Sequence, residues 1–285
     1  MTQPCRTGSI YAPLPRSLTP ILQIFLPDVF ERSNSELLDA SLGEAVTGTL
    51  SFNGQRCTAL KVLFAPREHA DLFVDGLVSK VEAMPVGLPW DTFEDGRPSM
   101  ITPLPNKGRI AYMKKLIDDA ISKGAKVVNK DGGTILGGAD SCLMIPAVLY
   151  PVTKNMDVYY QEQFGPVVPI VPYDDIGEIL DYGRLGEYGQ QVSIFTSEQD
   201  AGAAANLVDQ FSAVFGKINI NSQCGRSPDT LPFSGRRSSA MGIMSARYAI
   251  REFSVPTVIA HKAQESTSSI VDAIQKSSKF MEKLV

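Results

Sequence analysis

The sequence predicts an α/β fold with a largely parallel sheet, because strand-like and helical segments alternate along most of its 285 residues. Residues 60–65 form an apolar strand-like run directly after an amphipathic helical stretch. Residues 167–172 are too apolar to be anything but a buried strand. The Ala-rich segment 200–211 has helical spacing and leads to another strand at residues 217–221. The chain shows no internal repeat.

The remaining elements follow in chain order. Residues 21–28 can form a buried strand that ends in a turn, whereas prolines leave the rest of residues 1–33 irregular. Asn34 or Ser35 can cap a helix, in which apolar residues recur at Leu37, Leu38, Leu42, Ala45 and Val46. A second helix is predicted over residues 67–83 through Leu72, Phe73, Leu77 and Val81. Further helices are expected at residues 107–123 and 175–185, and further strands at residues 143–152 and 191–196.

Composition excludes several classes of protein. Hydrophobic residues make up 44% of the chain and charged residues 20%, as in ordinary soluble globular proteins. A net charge of −4 gives no electrostatic reason to expect nucleic acid or membrane partners, and no apolar run is long enough to span a membrane. Cys5, Cys57, Cys142 and Cys224 lack metal-ligand spacing, which indicates reduced thiols, no metal site and a cytoplasmic location.

Cys57 is the first candidate for chemistry. It lies in the segment Ser-Phe-Asn-Gly-Gln-Arg-Cys-Thr-Ala, between the first predicted helix and the strand at residues 60–65. A cysteine at such a junction can be partly exposed and close to backbone N–H groups, which favours the nucleophilic thiolate. The residues alone leave open the commoner role of a cysteine, a small buried apolar side chain.

Two further segments carry polar groups at strand ends. Glu162 stands in Gln-Glu-Gln-Phe-Gly-Pro-Val, at a strand entrance and hence at the rim of a sheet, although a solvated glutamate in a turn is the alternative. Arg226 follows the strand at residues 217–221, and its guanidinium can grip a phosphate through two hydrogen bonds. Arg56 is the natural second member of such a clamp. For both arginines a surface salt bridge remains the alternative.

Together these motifs resemble the aldehyde dehydrogenase superfamily, in particular the branch of NADP-dependent, non-phosphorylating glyceraldehyde-3-phosphate dehydrogenases. The matching segments are Gly-Gln-Arg-Cys-Thr-Ala, Glu-x-Phe-Gly-Pro-Val and the stretch from Ile218 to Gly235. The resemblance implies the three-layer catalytic domain of that family, with Cys57 as the catalytic nucleophile. It also implies that Glu162 reaches the nicotinamide ribose, that Phe164 packs near the nicotinamide, and that Phe233 walls the aldehyde pocket. In this branch Arg226 and Arg56 would bind the substrate phosphate.

The resemblance also suggests a division of the chain. Residues 1–33 are expected to be an irregular lead, residues 34–262 the catalytic domain, and residues 263–285 an added tail helix. Within the domain, residues 247–253 resemble the closing helix of the family. Residues 255–260 resemble its exchanged strand, which pairs at a subunit interface and implies a homo-oligomer.

The implied function is oxidation of an aldehyde, with glyceraldehyde 3-phosphate as the expected substrate, through a cysteine thioester and NADP or NAD. Only 56 residues precede Cys57, and they contain neither a dinucleotide fingerprint nor the Glu-Leu-Gly-Gly motif of the general base. The chain is therefore expected to be truncated and to lack most of the Rossmann-like cofactor domain. Two alternatives stay open: a non-catalytic remnant that pairs with full-length subunits, and a cofactor-free thiol esterase. His69 and His261 stand alone and are expected to be bystanders.

Overall fold

The computed structural model describes residues 21–138, 140–255 and 257–279. The strands in these ranges are β1 Ile21–Phe25, β2 Val62–Pro66, β3 Lys126–Val127, β4 Ile135–Leu136, β5 Leu143–Met144, β6 Ala147–Tyr150, β7 Val167–Tyr173, β8 Tyr188–Gly189, β9 Gln191–Phe195, β10 Lys217–Ile220, β11 Phe233–Ser234, β12 Arg236–Arg237 and β13 Ile243–Met244. The helices are α1 Ser35–Leu50, α2 Ala70–Glu82, α3 Lys107–Ser122, α4 Asp157–Tyr160, α5 Ile176–Leu185, α6 Ala201–Ser212, α7 Ala246–Glu252 and α8 Glu265–Ser277.

A seven-stranded sheet in the order β10-β9-β1-β2-β7-β6-β3 organises the described part of the chain. Its strands are parallel except at the edge, where β3 runs antiparallel to β6. Successive side chains of a strand point to opposite faces. Thus Ile21 and Phe25 pack on one face with α1 and α2, whereas Leu22 and Ile24 pack on the other with α3, α5 and α6. The predicted three-layer α/β fold is confirmed.

Strand β1 shows that the folded sheet includes part of the predicted irregular lead. All five of its residues are buried between β2 and β9. The sheet therefore begins at Ile21 within the described residues, earlier than the expected domain start at residue 34. Residues 1–20 of that lead lie outside the described ranges.

Two local predictions need correction. The periodic residues of α2 include Leu72, but this side chain is 50% exposed, while Phe73, Leu77 and Val81 are buried. The single strand predicted over residues 143–152 is divided into β5, which pairs with β4, and β6, which joins the main sheet. Asn129 holds the break, because its side-chain amide donates to the Pro146 carbonyl at 2.8 Å and its Oδ1 accepts the Val148 N–H at 2.8 Å.

The chain divides into two compact units, one ending at Ser245 and the other beginning at Ala246. The second unit contains α7 and α8, and none of the residues of α8 is buried. The predicted tail helix is thus seen from Glu265 to Ser277, and residues 280–285 lie outside the described ranges. Val255 and residues 257–260 form no strand, so the exchanged strand stays a prediction. No helix in the described ranges is long and apolar enough to cross a membrane.

Candidate active site

Cys57 lies on a short, strained connection between α1 and β2. We call residues 52–57 the nucleophile loop. Phe52, Asn53 and Gly54 follow one another in the left-handed region, with φ values of 55°, 59° and 69°. A bulky residue rarely adopts this conformation, and such strain accumulates at functional sites. The Phe52 side chain is 74% exposed, and the centroid of its ring lies 5.7 Å from the Arg56 guanidinium. The turn leaves Cys57 exposed, with a free thiol, at the amino-terminal end of β2.

Two residues of the turn fix the nucleophile loop to its surroundings. The buried Asn53 side chain accepts the Thr102 N–H at 2.9 Å and donates to the Thr102 carbonyl at 2.9 Å. Gly54 combines a positive φ with a close backbone approach, because a Cβ atom there would lie 2.6 Å from the Gly165 carbonyl oxygen. Both the conformation and the space therefore require glycine.

Residues 161–166, here called the Glu162 loop, lead into β7. Since β7 is the parallel neighbour of β2, this loop and the nucleophile loop lie at the same edge of the sheet. Glu162 and Phe164 are both half-buried. Burial raises the pKa of the Glu162 carboxyl, and the nearby positive charge of Lys61 opposes that shift. Among the described residues, the Glu162 carboxylate accepts no hydrogen bond, so its oxygens are open to a ligand.

Lys61 joins the two loops. Its ammonium donates to the Gly54 carbonyl at 3.1 Å and to the Gln163 carbonyl at 2.7 Å, and it lies 4.2 Å from the centroid of the Phe164 ring. Burial lowers the pKa of Lys61 to about 8, against the charges of Glu162 and a Cys57 thiolate, which raise it. The predicted cofactor residues and the predicted nucleophile are therefore neighbours in space.

Arg56 connects the nucleophile loop to the segment that follows β10. Its Nη2 donates to Gln223 Oε1 at 3.3 Å, and the backbone N–H of Gln223 donates to the Glu44 carboxylate at 2.8 Å. Burial lowers the pKa of the Arg56 guanidinium, and negative charge on Cys57 opposes that effect. The Arg56 Nε is buried and has no partner among the described residues. An unpaired buried donor is costly unless a ligand or water fills its place.

The segment after β10 returns to the same edge of the sheet. The Lys217 ammonium donates to the Gly225 and Ser227 carbonyls at 3.1 and 3.0 Å, which brackets Arg226. The Arg226 guanidinium lies 6.0 Å from the centroid of the half-buried Phe233 ring and forms an exposed ion pair with Asp229 at 3.5 Å. The structure thus places the four predicted substrate and nucleophile residues on segments that meet at one edge.

The site lies at the edge where the strands begin, as the position of Glu162 at a strand entrance indicated. Ligands of open α/β sheets usually bind beyond the carboxyl ends of parallel strands. Here Cys57 and Phe164 precede β2 and β7, so the site lies at the amino ends. The nucleophile loop and the Glu162 loop form this site, whereas sites at carboxyl ends lie in a crevice between crossover connections.

Cys224 and His69 take no part in this chemistry. Cys224 is fully buried, and burial raises the pKa of its thiol to about 12. Its sulfur lies 3.3 Å from Ser193 Oγ. The His69 ring stacks on the Phe30 ring, with 4.9 Å between their centroids. His69 follows the carboxyl end of β2, a strand whose five residues span roughly 16 Å, whereas Cys57 precedes its amino end. His69 is thus no base for Cys57.

Comparison with known proteins identifies the protein family. A model of the aldehyde dehydrogenase family matches residues 29–259. The chain belongs to the aldehyde dehydrogenase family. The resemblance to this family stated from the motifs, including its NADP-dependent glyceraldehyde-3-phosphate dehydrogenases, is confirmed.

Individual relatives show which members of the family the chain is similar to. NADP-dependent glyceraldehyde-3-phosphate dehydrogenase from Streptococcus equinus is 32% identical over 213 residues, covering 75% of this chain and 41% of that protein. Succinate-semialdehyde dehydrogenase (NADP+) 1 from Mycobacterium ulcerans (strain Agy99) is 31% identical over 82% of this chain and 48% of its own length. The crystal structure of NADP-dependent glyceraldehyde-3-phosphate dehydrogenase from Bacillus halodurans C-125 complexed with NADP aligns with a TM-score of 0.69 and 31% identity, covering 82% of this chain and 44% of that one. The chain therefore spans less than half the length of these relatives.

Sequence reasoning missed two residues of the site. Lys61 looked like part of an apolar strand, although a single lysine in the run Leu-Lys-Val-Leu-Phe is a signal for a buried, paired charge. Gln223 lies 167 positions from Arg56, and no local pattern announces their contact.

The exposure of the thiols predicts an order of reactivity. In the folded chain we expect iodoacetamide to alkylate Cys57 first, Cys142 more slowly and Cys224 more slowly still, because Cys224 is buried and resists ionisation. Peptide mapping after timed alkylation measures the order, with urea-unfolded chain as the control. Faster labelling of Cys142 or Cys224 than of Cys57 in the folded chain would contradict it.

Lys61 gives a second prediction, for stability against pH. Between pH 8 and 10.5 the unfolded chain keeps the Lys61 proton that the folded chain has released, so the folded state gains stability as the pH rises. Relative to Lys61→Met, which does not titrate, the wild-type free energy of unfolding should rise by up to about 3 kcal/mol across this window. Urea unfolding at several pH values measures the difference. Parallel curves for the two proteins would show that Lys61 is not desolvated.

Proposed function

We propose that this chain supplies the nucleophile and one end of the cofactor site for oxidation of a phosphorylated aldehyde to its acid. The observation that carries the proposal is the strained nucleophile loop. It presents an exposed Cys57 thiol beside Arg56, whose buried Nε has no partner among the described residues. A nucleophile with an adjacent unsatisfied cation suits a substrate that carries both a carbonyl and an anionic group.

The first step is addition of the Cys57 sulfur to the aldehyde carbon. A carbon–sulfur bond forms, the carbonyl π electrons move to oxygen, and the thiol proton leaves to solvent as the oxygen takes one up. A bound nicotinamide cofactor would supply the oxidant for the next step: the carbon would give up its hydride and the hydroxyl would release its proton to solvent, which would leave a thioester on Cys57. Water then adds to the thioester, the carbon–sulfur bond breaks, and the acid departs while the sulfur regains its proton.

The substrate phosphate is assigned to Arg56 and Arg226. Gln223 Oε1 holds one Nη of Arg56, which leaves Nε free to donate. Arg226 is bracketed by the two carbonyls that Lys217 binds, and its partner Asp229 is exposed. Phe233 lies beneath Arg226 and supplies an apolar wall for the carbon chain of the aldehyde.

The residues of the Glu162 loop fit the nicotinamide end of a cofactor. Glu162 offers a half-buried carboxylate without a hydrogen-bond donor among the described residues, which suits a ribose hydroxyl. Phe164 is half-buried, and Lys61 lies over its ring. We therefore assign ribose contact to Glu162 and packing against the nicotinamide to Phe164. The choice of NADP follows from the names of the relatives, which include an NADP complex.

Assembly and location complete the proposal. We assign residues 255–260 to a strand exchanged between copies in a homo-oligomer, and a cytoplasmic location to the chain. Val255, Val258 and Ile259 support the exchange, since they are strongly exposed for apolar side chains.

Protection of Cys57 from alkylation tests the substrate class without requiring turnover. We expect glyceraldehyde 3-phosphate to slow iodoacetamide labelling of Cys57 at concentrations about tenfold below those that glyceraldehyde needs. One charge-assisted phosphate contact of about 1.4 kcal/mol accounts for that factor. Arg56→Gln should reduce the difference in potency between the two aldehydes, and the additional change Arg226→Gln should remove what remains. Arg97→Gln, whose guanidinium pairs with Asp95 on an exposed turn, serves as the control.

Other outcomes distinguish the alternatives. Equal protection by both aldehydes in the wild type would reject phosphate recognition. Absence of protection at any concentration, together with hydrolysis of p-nitrophenyl acetate that is lost in Cys57→Ser, would favour a thiol esterase. Absence of both, with co-purification of the chain and a full-length relative, would favour the non-catalytic remnant. Turnover by the chain itself is tested by adding NADP and aldehyde and measuring the absorbance of NADPH.

A further inference from the structure

One buried charge near the proposed site has no role in the proposed function. Lys61 is the single lysine in the described ranges whose side chain is buried, with 1% of its surface exposed. Burying an ammonium is unfavourable unless its donors are satisfied and an opposite charge is near. For stability alone, an apolar side chain of similar length would serve as well at this position.

The hydrogen bonds of the Lys61 ammonium go to the two loops of the proposed site. One hydrogen bond goes to the Gly54 carbonyl in the nucleophile loop at 3.1 Å, and another to the Gln163 carbonyl in the Glu162 loop at 2.7 Å. The third side of the ammonium faces the ring of Phe164 at 4.2 Å. Of the three donors of an ammonium, two are thus hydrogen-bonded to carbonyls at the site, and the charge lies near an aromatic ring there.

Backbone contacts fix the same pair of loops. The Gln163 side chain donates from Nε2 to the Lys61 carbonyl at 2.8 Å, which makes the Lys61–Gln163 contact reciprocal. Gly54 approaches the Gly165 carbonyl so closely that no side chain fits between them. The two loops therefore touch along Gly54 and Gly165, and Lys61 bridges them on the side of β2.

Three charged or ionisable groups face Lys61. Glu162 and Cys57 favour its protonated form, while Arg56 disfavours it. Interaction free energy between two charges is mutual, so an ammonium that a Cys57 thiolate stabilises must itself favour that thiolate.

We propose that Lys61 is a positioning residue, which holds the nucleophile loop against the Glu162 loop and places a positive charge beside the sulfur of Cys57. The role rests on the proposed function of these two loops. Lys61 does not touch the substrate in this role. It sets where the thiol stands relative to Glu162 and Phe164.

The pH profile of Cys57 alkylation tests the electrostatic part. In Lys61→Met we expect the rate of iodoacetamide labelling of Cys57 to fall about threefold at pH 7, where Lys61 carries its charge, and the difference from the wild type to disappear at high pH, where Lys61 has lost its proton. Lys61→Gln, which keeps N–H donors without the charge, should change the profile equally. Lys80→Met, which removes an ion pair with Asp39 on the helices, should leave the profile unchanged. Cys142 labelling is the internal reference.

An unchanged Cys57 profile in folded Lys61→Met, with circular dichroism equal to the wild type, would overturn the proposal. A second measurement covers the case in which the variants do not fold. Native-state amide exchange of the wild type should then give one common opening free energy for residues 53–57 and residues 162–165, because one bridge holds both loops. Protection factors that differ more than about tenfold between the two loops would equally overturn it.

Neither measurement contains aldehyde or nucleotide. If Lys61→Met changes the labelling of Cys57 but aldehydes do not protect Cys57, the positioning role of Lys61 stands and the proposed function is rejected. If aldehydes protect Cys57 equally in the wild type and in Lys61→Met, and the pH profiles are unchanged, the proposed function stands and the positioning role of Lys61 is rejected.

Discussion

The active-site edge depends on one buried ammonium. Lys61 is buried, and its ammonium donates hydrogen bonds to carbonyls of the loops before β2 and β7. Those carbonyls in turn have fixed positions only while the loops stay closed on each other. Desolvation lowers the pKa of Lys61 to about 8, a cost that the folded state carries at neutral pH. The arrangement exchanges some global stability for a defined distance between the nucleophile and the residues assigned to the cofactor.

Local patterns were sufficient to predict most of the framework. Buried strands such as Val167–Tyr173 are continuous apolar runs that no other element tolerates. Helix α5 was equally predictable, since Asp175 and Glu178 form a reciprocal capping box at its start. Errors occurred where tertiary contacts override the local pattern. The Asn129 amide interrupts what reads as one strand, and Leu72 lies on the exposed side of α2 although it matches the helical period.

The site itself was only partly predictable. The motifs identified Cys57 and Glu162, but nothing local to either residue states that their loops share an edge of the sheet. That proximity follows from the strand order, in which β7 is inserted beside β2 after more than a hundred residues. The contact of Arg56 with Gln223 likewise joins segments 167 positions apart. Contacts of this kind depend on topology, which residue spacing does not encode.

The two arginines assigned to the substrate phosphate are prepared to different degrees. Arg56 is half-buried, and Gln223, itself held by Glu44, fixes one end of its guanidinium, so little side-chain entropy remains to be lost on binding. Arg226 is exposed and paired with Asp229, an interaction of the kind that contributes at most about 1 kcal/mol. On the proposed assignment, a phosphate would displace Asp229 at small cost, whereas the Nε of Arg56 would gain a partner without displacing a protein group. Arg56 would then set the affinity, and Arg226 would adapt to the position of the phosphate.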